Sequence, residues 1–305
     1  MKKIFKLFLR TLQVVFVFLL LVYVVSPLWK SASAFKDTFM TLKPLSLVAG
    51  IVILSLVIIC YPFLWKFILG SLGYGIKSRT AVISWIYSNI GKYMPGKVWQ
   101  FIGRTALTKK VKPEITLFTV FLEVAISFSA AVMVFFLRFM VVKNMPILWF
   151  IYAAFLFLIL LLVQHPKVVS FVLRIFAKLR KQEFCVSSMK LSIKNSVMLF
   201  FAYFVLWVFT GFSFWIMIQG SKINVGLLDA VTTYPISWIL GYLFLIAPAG
   251  LGVREGVLMS LLKGIYPETV ASAYSVLTRI ALVTSDFLLF FVIWLLNILK
   301  WKGEA

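Results

Sequence analysis

Ionisable side chains are scarce in the apolar parts of this sequence, and those that occur form a pattern. Glu123, Asp229, Arg254, Glu255, Arg279 and Asp286 all lie inside strongly apolar segments. Lys92, Lys97 and Arg104 surround a Pro95-Gly96 step, and Arg254 follows Pro248, Gly250 and Gly252. An ionised group held away from water is costly, so it pairs with another charge or lines a wet cavity. Pro and Gly in such segments free backbone polar groups that lipid cannot satisfy. The chemistry open to this set is anion binding. Freed N–H groups at the start of a helix attract anions, and a guanidinium makes bidentate contacts to phosphate.

The candidate binding residues are Lys92, Tyr93, Pro95, Gly96, Lys97, Trp99, Arg104, Gly250, Gly252, Arg254 and Glu255. Glu123, Arg279 and Asp286 are candidates for ion pairing or for coupling to protons. Each has a plainer alternative. Lys92 and Lys97 can snorkel to headgroups, and Glu123 and Asp286 can simply neutralise buried basic groups. Arg254 and Glu255 are neighbours, so on a helix they point about 100° apart. Arg254 is expected to face a slot and Glu255 to reach a cation on another element, with Arg104 and Arg279 the first candidates. Trp85, Trp149, Trp207, Trp215, Trp238 and Trp294 read as interfacial or packing residues.

Little else in the sequence points to chemistry. There is no GxSxG, Walker loop or zinc-type cluster. His165 stands alone in a loop, and Cys60 and Cys185 suggest no disulfide. The expectation is a protein that is not an enzyme and that uses no cofactor and no metal.

The elements that must position these residues are membrane helices. Apolar residues make up 63% of the 305-residue chain and charged residues 13%, a balance foreign to soluble domains. Full spans are expected near 9–29, 45–66, 114–138, 146–164, 194–219 and 270–299. The first follows Lys2, Lys3, Lys6 and Arg10 in the manner of a signal sequence, with Ala32-Ser33-Ala34 resembling a cleavage site. Its length and Lys30 favour an uncleaved span. Segments 80–108 and 226–265 each contain one Pro/Gly break, and the breaks lie about half the chain apart.

Loop charge decides how the broken segments run. The net charge of +22 is expected from the positive-inside rule and not from nucleic-acid binding. If both broken segments are hairpins, Lys66, Lys77, Arg79, Lys109, Lys110, Lys112 and the basic loop 165–194 all fall on the cytoplasmic side. If segment 80–108 crosses, the three lysines after it fall outside. The expected fold is therefore an all-α polytopic membrane protein. It has about six full transmembrane helices and two oppositely oriented re-entrant broken-helix hairpins. The chain forms one membrane domain over 1–305, with an inverted-topology repeat over about 45–138 and about 194–299. Both termini are expected in the cytoplasm. Segment 166–180 reads as a helix lying on the anionic leaflet.

These motifs resemble a known family. Gly91-Lys-Tyr-Met-Pro-Gly-Lys-Val-Trp99 with Gly103-Arg104 is similar to the GKY-x-PGK-x-W element of the lysylphosphatidylglycerol synthase transmembrane family. Pro248-Ala-Gly-Leu-Gly-Val-Arg-Glu-Gly256 resembles its second element, P-x-G-x-G-x-REG, and Glu123 and Arg279 also match. The resemblance covers nearly the whole chain and implies a flippase-like protein of a bacterial inner or archaeal membrane. The sequence has no transferase domain like that of the bifunctional members, so synthesis of the aminoacylated lipid is not implied. The implied partner is a phospholipid or a polyprenyl-phosphate-linked lipid. The rival reading is a non-transporting subunit that docks a glycosyltransferase through loop 165–194. Self-association as a homo-oligomer stays open.

Overall fold

In the computed structural model of the chain, the described residues are 36–94, 98–141, 191–244 and 248–302, with the isolated positions Val22, Ile147, Ile151 and Ala154. The spans expected over 9–29 and 146–164, the surface helix over 166–180 and nearly all of loop 165–194 lie outside them. So do Pro95, Gly96 and Lys97 of the first break.

Eight helices of ten residues or more, and no strand, occur among the described residues. They are α1 (Pro44–Ser71), α2 (Ser78–Asn89), α3 (Val98–Leu107), α4 (Pro113–Val141), α5 (Ile193–Met217), α6 (Leu227–Leu243), α7 (Val253–Leu262) and α8 (Glu268–Lys302). A single helical turn, Lys36–Phe39, precedes them. Local chemistry sets several of the ends. Helices α1 and α4 open on Pro44 and Pro113, whose missing N–H costs nothing at a first turn. Ser192 caps α5 by accepting from the Asn195 amide at 3.2 Å.

Four helices are long and apolar enough to cross a membrane: Pro44–Ser71, Pro113–Arg138, Ile193–Met217 and Glu268–Asn297. Helices α2, α3 and α7 have 12, 10 and 10 residues, well short of the ~20 a bilayer core requires. They belong to two segments that double back. Helix α2 continues as a tighter 3₁₀ turn, Ile90–Tyr93, and stops at Met94, which is extended (ψ 147°) as a residue before proline prefers. Helix α3 then returns along α2, so that Arg104 Nε reaches Ser88 Oγ at 3.3 Å. Helix α6 likewise ends at Phe244, a turn at Pro248–Gly250 follows, and α7 returns so that Arg254 lies against Gly241.

The packing of the two sets of helices is alike. Helix α1 packs on α2 and α8 while α5 packs on α6 and α4; α2 meets α3 and α8 as α6 meets α7 and α4. The two 3₁₀ turns touch one another, and α1 runs against α5. One buried core therefore extends through seven of the eight helices, all but α3, from Trp65 and Phe135 to Tyr203, Phe214 and Tyr274.

Helix α3 shows its surroundings most directly, because its faces are inside out. Gln100 and Arg104, four residues apart, are buried, while Val98, Trp99 and Ile102 are exposed. A helix that buries its polar stripe and shows its apolar one belongs against hydrocarbon. The structure is that of an all-α membrane protein.

Candidate functional site

The two doubled-back segments and the long helices enclose a cavity of about 110 Å³. Its wall is aromatic, with Tyr61, Trp85, Trp207, Tyr234, Trp238 and Tyr242, and its charges are Lys92, Arg104, Glu123, Arg254 and Asp286. Trp85, Trp207 and Trp238, expected as belt or packing residues, instead line it.

Two of the three cations are already neutralised. The Arg104 guanidinium forms an ion pair with Glu123, whose other oxygen accepts from Trp85 Nε1 at 2.7 Å. Arg104 is also sandwiched by aromatic rings, 5.0 Å from the Trp65 ring centre and 5.2 Å from that of Trp85. Lys92 Nζ lies 2.6 Å from Asp286 Oδ2. The same carboxylate accepts from Tyr93 OH at 2.6 Å and from Asn89 Nδ2 at 2.8 Å. Lys92 therefore does not snorkel: its side chain is only 16% exposed and is bound to Asp286 on α8. Each pair ties two elements together, α3 to α4 and the end of α2 to α8.

The third cation differs. Arg254 is buried, and among the described residues its Nε and Nη1 have no hydrogen-bond partner. The Trp238 ring centre lies 5.6 Å from its guanidinium. The residue fits because Gly241 leaves a notch: a β-carbon there would overlap the Arg254 side chain. The break itself closes over the same notch. Ala249 is held in the left-handed region at φ 49°, and Gly250 follows at φ 74° with its backbone against the Gly241 carbonyl. A left-handed alanine costs on the order of 1–3 kcal/mol, which packing around it must offset.

Glu255 points elsewhere, as adjacent helical residues must. Its Oε2 accepts from the Gly252 amide at 2.7 Å and caps α7, while Oε1 lies 3.6 Å from Arg279 Nε. Of the two expected partners it meets Arg279 and not Arg104. Arg279 also donates to the Ala249 carbonyl at 2.9 Å, holding the strained break from below.

Not every candidate reaches the cavity. Tyr93 is fully buried behind it, bound to Asp286. Trp99 is 45% exposed on the outward face of α3. Gly250 and Gly252 shape the break, and Ala249 just before them touches the cavity. Asn89, Gln100 and Gly241 were missed as site residues. A periodic signal existed for two of them: Trp85, Asn89 and Lys92 share one face of the α2 segment, and Gln100 shares one with Arg104. Gln100 donates to Tyr242 OH at 2.9 Å and so joins the two doubled-back segments.

A separate charged network lies away from the cavity. Arg138 on α4 pairs with Asp229 on α6 at 2.7 Å and donates to the Leu261 carbonyl at 2.8 Å. Tyr266 OH donates to Asp229 at 2.5 Å and accepts from the Gly226 amide at 2.9 Å. Burial, and then this bond to a carboxylate, pushes the Tyr266 phenol up, so it stays protonated and donating. At the matching place between α2 and α8 there is a single exposed bond, Arg79 Nη2 to Asn297 Oδ1 at 2.9 Å.

The cavity thus combines a largely apolar, aromatic wall with charged groups from both broken helical segments. The family profile of the lysylphosphatidylglycerol synthase TM region matches residues 10–300, nearly the whole chain. The chain belongs to this family. No curated protein matches the sequence closely enough to add to that assignment. For the lysylphosphatidylglycerol synthase TM region in this chain, the cavity is the place where its two sequence elements meet. The first supplies Lys92 and Arg104, and the second supplies Ala249 and Arg254.

Proposed function

We propose that this chain is a flippase-like lipid translocase, and that its cavity receives the phosphate-bearing headgroup of a lipid or lipid-linked glycan. The observation that carries the reading is Arg254: a buried guanidinium with two donor nitrogens unpartnered among the described residues, lining a cavity whose other cations are paired. Isolated buried charge is costly, so a site that keeps one is built for a counter-charge that comes and goes. A phosphate oxygen matches those donors in charge and in fork geometry. The aromatic wall gives the rest of a headgroup a surface to stack on.

The paired carboxylates keep Lys92 and Arg104 from gripping a second phosphate and hold the walls in register. The like packing of the two helix sets supports an inverted repeat over about 45–138 and about 194–299. In that arrangement the doubled-back segments enter the membrane from opposite sides, and rocking of one half on the other opens the cavity to each leaflet in turn. By the positive-inside rule the loop lysines favour cytoplasmic termini.

The test is transport in proteoliposomes. Wild-type protein should move a fluorescent phosphate-bearing lipid to the opposite leaflet. Arg254→Gln should slow that movement at least tenfold while eluting as a folded, monodisperse protein. Equal rates in the two proteins would end this assignment of Arg254, and no movement by wild type of any anionic lipid offered would end the translocase reading.

A further inference from the structure

A second, much smaller cavity of about 10 Å³ lies between α6, α7 and α8, on the other side of Arg254 from the headgroup cavity. It is lined by Tyr234, Ser237, Arg254, Glu255, Thr278 and Arg279, among others. That volume holds a single occupant about the size of a water. Its wall is unusually rich in buried polar atoms without a hydrogen bond among the described residues. They are Arg254 Nε and Nη1, Arg279 Nε and Nη2, Glu255 Oε1 and Tyr234 OH. Arg254 is 5% exposed and Arg279 3%, so bulk water does not serve them.

The serine and threonine hydroxyls nearby are spent. Ser237, Ser275 and Thr278 each donate to a carbonyl of their own helix, at 2.7, 2.7 and 2.9 Å. The free donors are therefore mainly guanidinium N–H groups. The charges do not balance: two arginines face one carboxylate, and Glu255 already commits its other oxygen to the cap of α7. The first turn of α7 adds its own positive end, because Arg254 and Glu255 are the second and third residues of that helix. A water can bridge these donors but leaves a surplus positive charge in a low-dielectric interior. A monatomic anion accepts from the guanidinium N–H groups and supplies the missing negative charge, while Glu255 Oε1 stays with Arg279 Nε at 3.6 Å.

We propose that this cavity binds one chloride, held by Arg254 and Arg279, and that a headgroup phosphate arriving in the large cavity displaces it by taking over Arg254. This rests on the lipid reading above only for the displacement; the chloride site stands on the small cavity alone. The resident anion lets the protein keep an uncompensated arginine between transport cycles. It also makes the substrate an exchanging counter-ion, so that chloride and lipid compete.

The experiment uses the full-length, lipid-stripped protein in detergent with sodium gluconate as the background salt. Chloride is titrated in, and the broadening of the chloride NMR line is measured. Saturable excess broadening is expected. It should be lost in Arg279→Gln and in Ser237→Val, which fills the cavity and leaves all three charges in place. Arg279→Lys, which keeps the charge, should retain a weakened signal and serve as the control for folding. Crystals grown in bromide should show one anomalous peak between Arg254 and Arg279. Adding a short-chain phosphodiester lipid should reverse the broadening. No saturable broadening, or broadening unchanged in both Arg279→Gln and Ser237→Val, would mean that water fills the cavity and would overturn the site. Broadening that the lipid leaves untouched would overturn the exchange. Chloride binding in a protein that moves no lipid would leave the site standing and remove the translocase reading instead.

Discussion

The two doubled-back segments carry the same kinds of residue and use them differently. In the first, each described cation has its own carboxylate: Lys92 has Asp286 and Arg104 has Glu123. In the second, Arg254 has none among the described residues, although Glu255 is its neighbour in sequence. The first segment is thus a fixed wall, fastened to α4 and α8 by ion pairs. The second holds an open charge over a strained break. A site that must grip and release an anion needs both, a frame that does not move with the ligand and one charge that the ligand alone satisfies.

That contrast makes opposite predictions for removing charge. Breaking a buried pair from one side leaves the survivor uncompensated and costs roughly 3–5 kcal/mol. Asp286→Asn and Glu123→Gln should each lower the melting temperature of lipid-free protein by several degrees. Asp286→Asn should do more harm, because Asn89 and Tyr93 also bond to that carboxylate. In chloride-free, lipid-free buffer, Arg254→Gln removes a charge that no carboxylate among the described residues pairs with, and should leave the melting temperature unchanged or raise it. Melting scans in one detergent settle the comparison. A loss with Arg254→Gln as large as with Asp286→Asn would show that the two segments are built alike.

Much of the frame was legible in the sequence, and the reasons are physical. Long apolar runs and Pro/Gly breaks fixed where α1, α4, α5 and α8 lie and where the chain doubles back. The scarcity of charge in lipid flagged nearly every ionisable residue of the site, Arg104, Glu123, Arg254, Glu255, Arg279 and Asp286 among them. Partners were harder. Asp229 was flagged, but Arg138 sits at the end of α4 and reads as a loop-side charge, although it is 2% exposed and paired to Asp229. The tryptophans were misjudged because composition cannot separate a ring at the interface from one that walls a cavity. Only the i, i+4, i+7 spacing of Trp85, Asn89 and Lys92 carried that information. Trp99 was assigned to the site because it lies beside the break, but helical geometry turns it outward.

The seat of Arg254 gives the next effect in size. Gly241 has room for no β-carbon, since one would overlap the Arg254 side chain and press on the break that closes over it. Gly241→Ala should cost ~1–3 kcal/mol through overpacking. It should also weaken lipid binding more than it slows transport of bound lipid, because it moves the open charge without removing it. The crowded glycine of the first segment, Gly91, abuts the backbone of Trp99 and Gln100 instead of Arg104, which is held by rings and a carboxylate. A Gly241→Ala protein with normal lipid affinity, measured by retained lipid in mass spectrometry, would separate Arg254 from the headgroup.

The smallest effect concerns two neighbours on α3, and it probes whether the first segment is only a frame. Trp99 and Gln100 point about 100° apart. Trp99 is 45% exposed on the apolar face, whereas Gln100 is 9% exposed and donates to Tyr242 OH across the cavity at 2.9 Å. Trp99→Leu keeps an apolar side chain on a face that meets hydrocarbon and should change stability by no more than ~0.5 kcal/mol. Gln100→Leu breaks a part-buried bond between the two doubled-back segments, a loss of about 0.5–1.5 kcal/mol. Both should leave the lipid affinity set by Arg254 within a factor of about two, a shift of ~0.4 kcal/mol. If Trp99→Leu instead lowers affinity tenfold, the outward face of α3 touches the headgroup or its chains. The first segment would then take part in binding, and the division between a fixed wall and an open charge would fail.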